Sequence, residues 1–289
     1  MKRTHTKLNT AEGQTKRFGV GMLSPTVVIL LIMTAYPLIF TFFYSFTNYN
    51  LLRNLRSPAK ITFFQNYVKL LKDPYFQQSI WNTVKFTIFA VIFEMLIGFA
   101  MALFVNSLHK GQKTMRTLLL LPYLLPTVTV ALSWRMMLSP NYGIVNQFLK
   151  SAGLAVFNWF MDTKTAFGTI LVIDVWQNVP FVFLLLYASL QSVSENQYEA
   201  ARIDGANEYQ IFFLIVFPLC FNVFLYMAIG MVMGLWMDFQ GPLLYLGNAE
   251  DQYTVGLAFY YFYTSNSNVT ANLQNKLMAM CVVMSLVPM

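Results

Sequence analysis

Charge is scarce in this sequence: only 11% of its residues are Asp, Glu, Lys or Arg, where soluble domains carry about a quarter. With 57% of its 289 residues hydrophobic, a soluble fold of this size could not cover its own surface, and a water-soluble domain is excluded. Cysteine is nearly absent. Cys220 and Cys281 both sit inside apolar runs, which excludes a disulfide framework or a thiolate metal site and leaves them a packing role. The two histidines, His5 and His109, lie in basic segments without partners at metal-ligand spacing, so no metal site is expected. No Gly-x-x-x-x-Gly-Lys-Ser/Thr loop occurs, so any nucleotide chemistry must come from another chain.

What the chain does have is apolar runs of about 20 residues, the length that crosses roughly 30 Å of hydrocarbon at 1.5 Å per helical residue. The expected fold is an all-α integral membrane protein with spans at about 19–46, 80–106, 115–138, 166–190, 212–237 and from 275 onward. From Lys276 to Met289 there are 14 residues, which reach about 21 Å as helix, so the last span reads as incomplete. Lys2, Arg3, Lys7, Lys16 and Arg17 precede the first run as a secretory signal would. That run is too long for a cleaved core and no small-x-small site closes it, so residues 1–18 read as a basic cytoplasmic leader before a retained helix.

The formal net charge of +7 does not point to nucleic acid, because the basic residues cluster beside apolar runs rather than on one polar face. They instead give orientation, since cytoplasmic flanks retain Lys and Arg. The leader and the loop with Lys110, Lys113 and Arg116 point inward, and the stretch from Asp238 to about Asn275, which has no Lys or Arg, points outward. The outer stretch 47–79 dissents with Arg53, Arg56, Lys60, Lys69 and Lys72. Between the third and fourth spans, Ser139 to Thr165 is expected to hold a short interfacial helix near the aromatic cluster Phe157, Trp159 and Phe160. With no internal repeat and no low-complexity tract, residues 19–289 read as one transmembrane domain.

The most informative segment is the polar loop 194–214. Ser194 can cap a helix that Glu199, Ala200, Ala201 and Arg202 favour. Gly205 permits the left-handed turn that ends it, and Tyr209, Phe212 and Phe213 begin a second amphipathic helix. The pattern Glu-Ala-Ala, three residues, Gly, nine residues, Ile, two residues, Pro is filled at every fixed position by Glu199, Ala200, Ala201, Gly205, Ile215 and Pro218. This loop resembles the coupling loop of the permeases of binding-protein-dependent, ATP-driven (ABC) importers.

The resemblance continues through Pro25, Tyr36-Pro37, Phe43 to Thr47, Asn82-Thr83, Leu120-Leu121-Pro122 and Trp134, and is similar to the maltose-type carbohydrate importers. Trp236 to Leu244 looks more like the companion permease type of the same assembly. It implies a six-helix ABC importer transmembrane domain whose coupling-helix loop docks on a cytosolic ATPase through Glu199, Ala200, Ala201, Asp204 and Gly205. It also implies a second homologous permease, two ATPase subunits that bind ATP and Mg, and an extracytoplasmic solute-binding protein. The chain itself would hold no cofactor and would not be an enzyme.

For the translocation path, polar groups inside spans are the candidates, because they are costly in lipid and face a bundle interior or a cavity. Asp174, Gln177 and Asn178 share one helical face with position 181, while Trp236 and Asp238 close the fifth span. Carboxylates, amides and an aromatic plate together suit a sugar, but interhelical hydrogen bonding is open for the same residues. Glu94 reads as one partner of a helix–helix hydrogen bond, and Arg135 as a snorkelling side chain. Two other classes remain: an ion-coupled secondary transporter with Glu94 and Asp174 as coupling carboxyls, which calls for inverted repeats and broken helices, and a membrane scaffold, which leaves the loop pattern unexplained.

Overall fold

The computed structural model describes residues 2–50, 58–247, 249–264 and 274–286; the side chains of residues 2–17, 163 and 195 fall outside the description. Arg53 and Arg56 therefore lie outside the described residues, as do the leader's basic side chains. The elements in order are α1 (Lys2–Ser45), α2 (Gln65–Leu71), α3 (Pro74–Ser107), α4 (Gln112–Leu124), α5 (Thr127–Met137) and α6 (Ile144–Ser151). They continue with α7 (Thr163–Gln191), α8 (Glu195–Ile203), α9 (Glu208–Met237), α10 (Gln240–Leu246), α11 (Val255–Thr264) and α12 (Gln274–Leu286). Among the described residues, pairing outside helices is limited to one antiparallel bridge, Thr47 with Ile61.

Among the described residues, four helices are long and apolar enough to cross a membrane: Phe18–Ser45, Pro74–Ser107, Lys164–Gln191 and Glu208–Met237. The expected continuous span 115–138 is instead α4 and α5, bent by 87°. Proline explains the break. Pro126 has no N–H to donate and disfavours helical geometry at the residue before it, and Leu125 is accordingly extended at φ −79°, ψ 135°. The carbonyl of Leu125 is then met by the side-chain amide of Gln177 at 3.3 Å.

Two compact units can be distinguished, one of residues 1–70 and 265–285, the other centred on Leu71–Thr264. In the first, Asn66 is the hub. Its side-chain amide donates to the carbonyls of Ser45 (2.7 Å) and Thr47 (2.8 Å), closing the end of α1, and its Oδ1 accepts from Asn275 in α12. Asn66 is buried, so each of its polar atoms needs such a partner.

In the second unit α3 packs along α7, and small residues set their separation. A Cβ placed on Gly98 would come within 2.6 Å of Val182 Cγ1, the close approach that membrane helices obtain from Gly and Ala. Met95, Ala102 and Val105 of α3 and Val182, Phe183, Leu186 and Leu190 of α7 form one cluster with Ile211, Val216, Cys220 and Met227 of α9. Cys220 is thus a packing residue. A second cluster joins Val130 and Ala131 of α5, Ile170 and Ile173 of α7, Tyr245 and Leu246 of α10 and Leu257 of α11.

The short helix expected between Ser139 and Thr165 is α6, held to the aromatic segment by the buried Asn146. Its Nδ2 donates to the Ser139 and Phe157 carbonyls, while Oδ1 accepts from the Phe157 amide and Trp159 Nε1. The stretch after Asp238, read as a loop, contains α10 and α11, of 7 and 10 residues and too short to span. Arg135 does more than snorkel: its guanidinium donates to the Leu244 carbonyl at 3.1 Å, tying α5 to α10.

Candidate functional site

The polar loop folds as helix, left-handed glycine, helix. α8 ends at Asp204, and Gly205 takes φ +83°, a conformation that costs an L-residue with a Cβ about 1–2 kcal/mol. Asn207 then restarts the chain with a reciprocal capping box: its side chain accepts from the Gln210 amide, and the Gln210 side chain accepts from the Asn207 amide, both at 2.9 Å. Ser194 occupies the cap position of α8 in extended geometry, but its hydroxyl makes no capping bond. Arg202 and Glu208 form an ion pair of 3.0 Å across the turn.

Four of the five loop candidates, Glu199, Ala200, Asp204 and Gly205, are exposed, whereas Ala201 is turned inward against the bundle core. Close approach by a partner therefore falls to Ala200 alone. Ile203 is 85% exposed and Tyr209 78%, so the loop also presents large apolar groups to water. Behind it, a π turn over Phe212–Val216 leads into Pro218. The Phe217 amide reaches back to the Phe212 carbonyl, shifting the ladder by one residue just before a proline that cannot join it.

The second candidate region is a hollow of about 660 Å³ between α3, α4, α7, α9 and α10. Asp174, Gln177, Asn178 and Asp238 line it together with Glu94, Tyr226 and Tyr245. Asn178 Nδ2 donates to Asp174 Oδ1 at 3.0 Å, one helical turn apart. Glu94 and Asp174 meet carboxyl to carboxyl. As acceptors alone, Glu94 Oε1 and Asp174 Oδ2 find no donor on the protein, so this contact is a hydrogen bond only when one carboxyl carries a proton. Glu94 is therefore in the helix–helix contact the sequence suggested, and Asp174 is its partner.

Asp238 sits where α9 gives way to α10. Its Oδ1 accepts the amides of Gln240 (2.9 Å) and Gly241 (3.3 Å), fixing the turn. Burial pushes its carboxyl above the ordinary aspartate value, opposed by those two backbone bonds. Trp236 does not join it: the indole is buried in packing, and Leu235, Met237 and Asp238 are the neighbours that line the hollow. The aromatic groups there are Phe86, Tyr123, Phe181, Tyr226, Phe239 and Tyr245. Sequence spacing could not select these, because aromatic residues are spread through every span.

A smaller hollow of about 210 Å³ lies toward the start of α3, lined by Asn82, Lys85, Asp251 and Gln252 among others. Phe86, Ile170 and Pro242 line both hollows and form their common wall. Among the described residues, no three His, Cys, Asp or Glu side chains are grouped to hold a metal ion.

A family profile described as "Binding-protein-dependent transport system inner membrane component" matches residues 94–289. The chain is 33% identical over 205 residues to the trehalose/maltose transport system permease protein MalF of Thermococcus litoralis, covering 70% of this chain and 68% of the relative. It is 31% identical over 235 residues to the inner membrane ABC transporter permease protein YcjO of Escherichia coli, covering 79% and 78%. A chain of a bacterial alginate ABC transporter, crystallised with an alginate pentasaccharide-bound periplasmic protein, shares the fold: TM-score 0.78, 19% identity, 96% of this chain and 93% of the other covered.

Proposed function

Because the chain belongs to the family of binding-protein-dependent transport system inner membrane components, and is a multi-pass membrane permease of an ABC importer rather than an enzyme, we propose that its cargo is a sugar delivered by an extracytoplasmic binding protein. The observation that carries this reading is the complete loop pattern from Glu199 to Pro218 folded as two helices about a left-handed Gly205. In this reading the exposed Glu199, Ala200, Asp204 and Gly205, with Ile203, dock on an ATPase subunit. Two such subunits would supply ATP and Mg chemistry, and a second homologous permease would complete the pathway. The N-terminus is cytoplasmic, as the basic leader indicates.

The hollow lined by Asp174, Gln177, Asn178 and Asp238 is the proposed path. Hydroxyl-binding carboxyls and amides among aromatic rings suit a carbohydrate, and the names of relatives such as the trehalose/maltose permease support that cargo. The bend between α4 and α5 has the geometry of a broken span or a re-entrant loop, and broken spans occur in secondary transporters, but family membership favours ATP-driven import. The test is uptake of labelled oligosaccharides into vesicles that hold the permease pair, ATPases and binding protein, with wild type compared with Gly205→Asp. Uptake that requires ATP and disappears in an assembled variant supports the reading. Uptake that follows an ion gradient without ATP overturns it.

A further inference from the structure

The hollow of about 660 Å³ takes in three carboxyl groups, Glu94, Asp174 and Asp238, and among the described residues no Lys or Arg lines it. Glu94 is 2% exposed and Tyr245 5%. The Tyr245 hydroxyl is buried without a hydrogen-bond partner on the protein, and Glu94 Oε1 and Asp174 Oδ2 are buried with no partner beyond the contact between the two carboxyls. Buried polar atoms left this way are costly unless something else meets them. Of the nearby amides, Asn178 gives an N–H to Asp174 and Gln177 gives one to the Leu125 carbonyl. Tyr123, Thr127, Tyr226 and Gln240 add further donors to the lining, so the hollow is set apart by its three carboxyl groups with no basic side chain beside them.

We propose that this hollow admits a carbohydrate that brings donors and no anionic group, a neutral or amine-bearing sugar, and rejects acidic sugars. The proposal rests on the sugar-import reading and narrows its substrate class. A hydroxyl or ammonium group donates to carboxyl oxygens of the lining, those of Asp238 among them. A uronate or phosphate brings a negative charge against these carboxyls in a site walled by apolar side chains, where like charges repel far more strongly than in water.

The experiment is equilibrium binding to the assembled permease–ATPase complex in lipid nanodiscs. The probes are three trisaccharides of equal length, built from glucose, glucosamine and glucuronate. The expected result is that the glucose and glucosamine compounds bind and the glucuronate compound binds at least about 100-fold more weakly. In Glu94→Gln with Asp174→Asn, near-isosteric changes that remove charge, that gap is expected to shrink by about tenfold or more. Asp238→Asn alone, which keeps the acceptor for the Gln240 and Gly241 amides, shrinks it less and guards against loss of the double variant. Glucuronate binding as tight as glucose, or a gap unmoved in the assembled variants, overturns the proposal while leaving sugar import intact. If none of the three binds and no oligosaccharide is taken up with ATP, the import reading itself falls.

Discussion

The Thr83 hydroxyl of α3 accepts the backbone amide of Val255 at 2.8 Å, across 172 residues of sequence, while donating to the Ser79 carbonyl one turn below. Its neighbour Asn82 donates to the carbonyls of Asp251 and Tyr253 at 2.9 and 3.3 Å. Two adjacent side chains of one span thus hold the segment 251–255 that leads into α11.

Thr83 is 1% exposed, so Thr83→Val leaves the Val255 amide buried without an acceptor at nearly unchanged volume, a loss of about 1–3 kcal/mol. Thr83→Ser retains the bond. The thermal midpoint of the purified protein should drop clearly for the first and little for the second. Equal midpoints for wild type and Thr83→Val would show that the hydrogen bond contributes nothing.

Gly98→Ala places a methyl group against Val182 and is expected to cost about 1–3 kcal/mol through overpacking. Val182→Ala removes the atoms it meets. The double variant should recover part of the loss, a coupling visible in a thermal-stability cycle; strictly additive effects would mean that the two helices shift apart freely.

Across the loop, Gly205→Ala strains a backbone held at φ +83° by about 1–2 kcal/mol. Glu208→Gln breaks an ion pair whose members are largely exposed, 60% and 74%, and should change stability by less than about 0.5 kcal/mol. Coupled transport is expected to suffer in the first variant and persist in the second. A reversed order would place the function of the turn in its charges.

Burial raises the Asp238 carboxyl above its ordinary value, so between the unfolded and folded values the folded state holds more protons. Stability therefore falls as pH rises through that window, and the cost is absent below it and complete above it. Asp238→Asn keeps the turn but removes the titration. Its stability relative to wild type should rise from acid toward neutral pH, and a flat difference would contradict the assignment of that carboxyl.

Much of this was legible in the residues themselves. The positions of the long helices followed from apolar run length, and the turn at Gly205 from one glycine after a helix-favouring tetrad. The break at Leu125–Pro126 was written there too, since Pro122 and Pro126 flank it, yet the apolar run across them masks a change of direction. Trp236 is absent from the lining of the hollow, although its neighbours belong to it. Its type suits a sugar plate, but its side chain is buried, one residue from Leu235 and Met237, which line the hollow. The pairing of Glu94 with Asp174 could not be read at all, because it depends on how far α3 slides along α7, which Gly98 and Val182 set in three dimensions.

The wall of Phe86, Ile170 and Pro242 offers a crossing ion neither charge nor hydrogen bond. A bare cation must shed its water there, and narrow apolar constrictions tend to empty of water altogether. A carbohydrate hydrates less tightly than an ion and can press between two rings or aliphatic faces. On the proposed path, the same three side chains would set an apolar step between the two hollows, costlier for a bare ion than for a neutral solute.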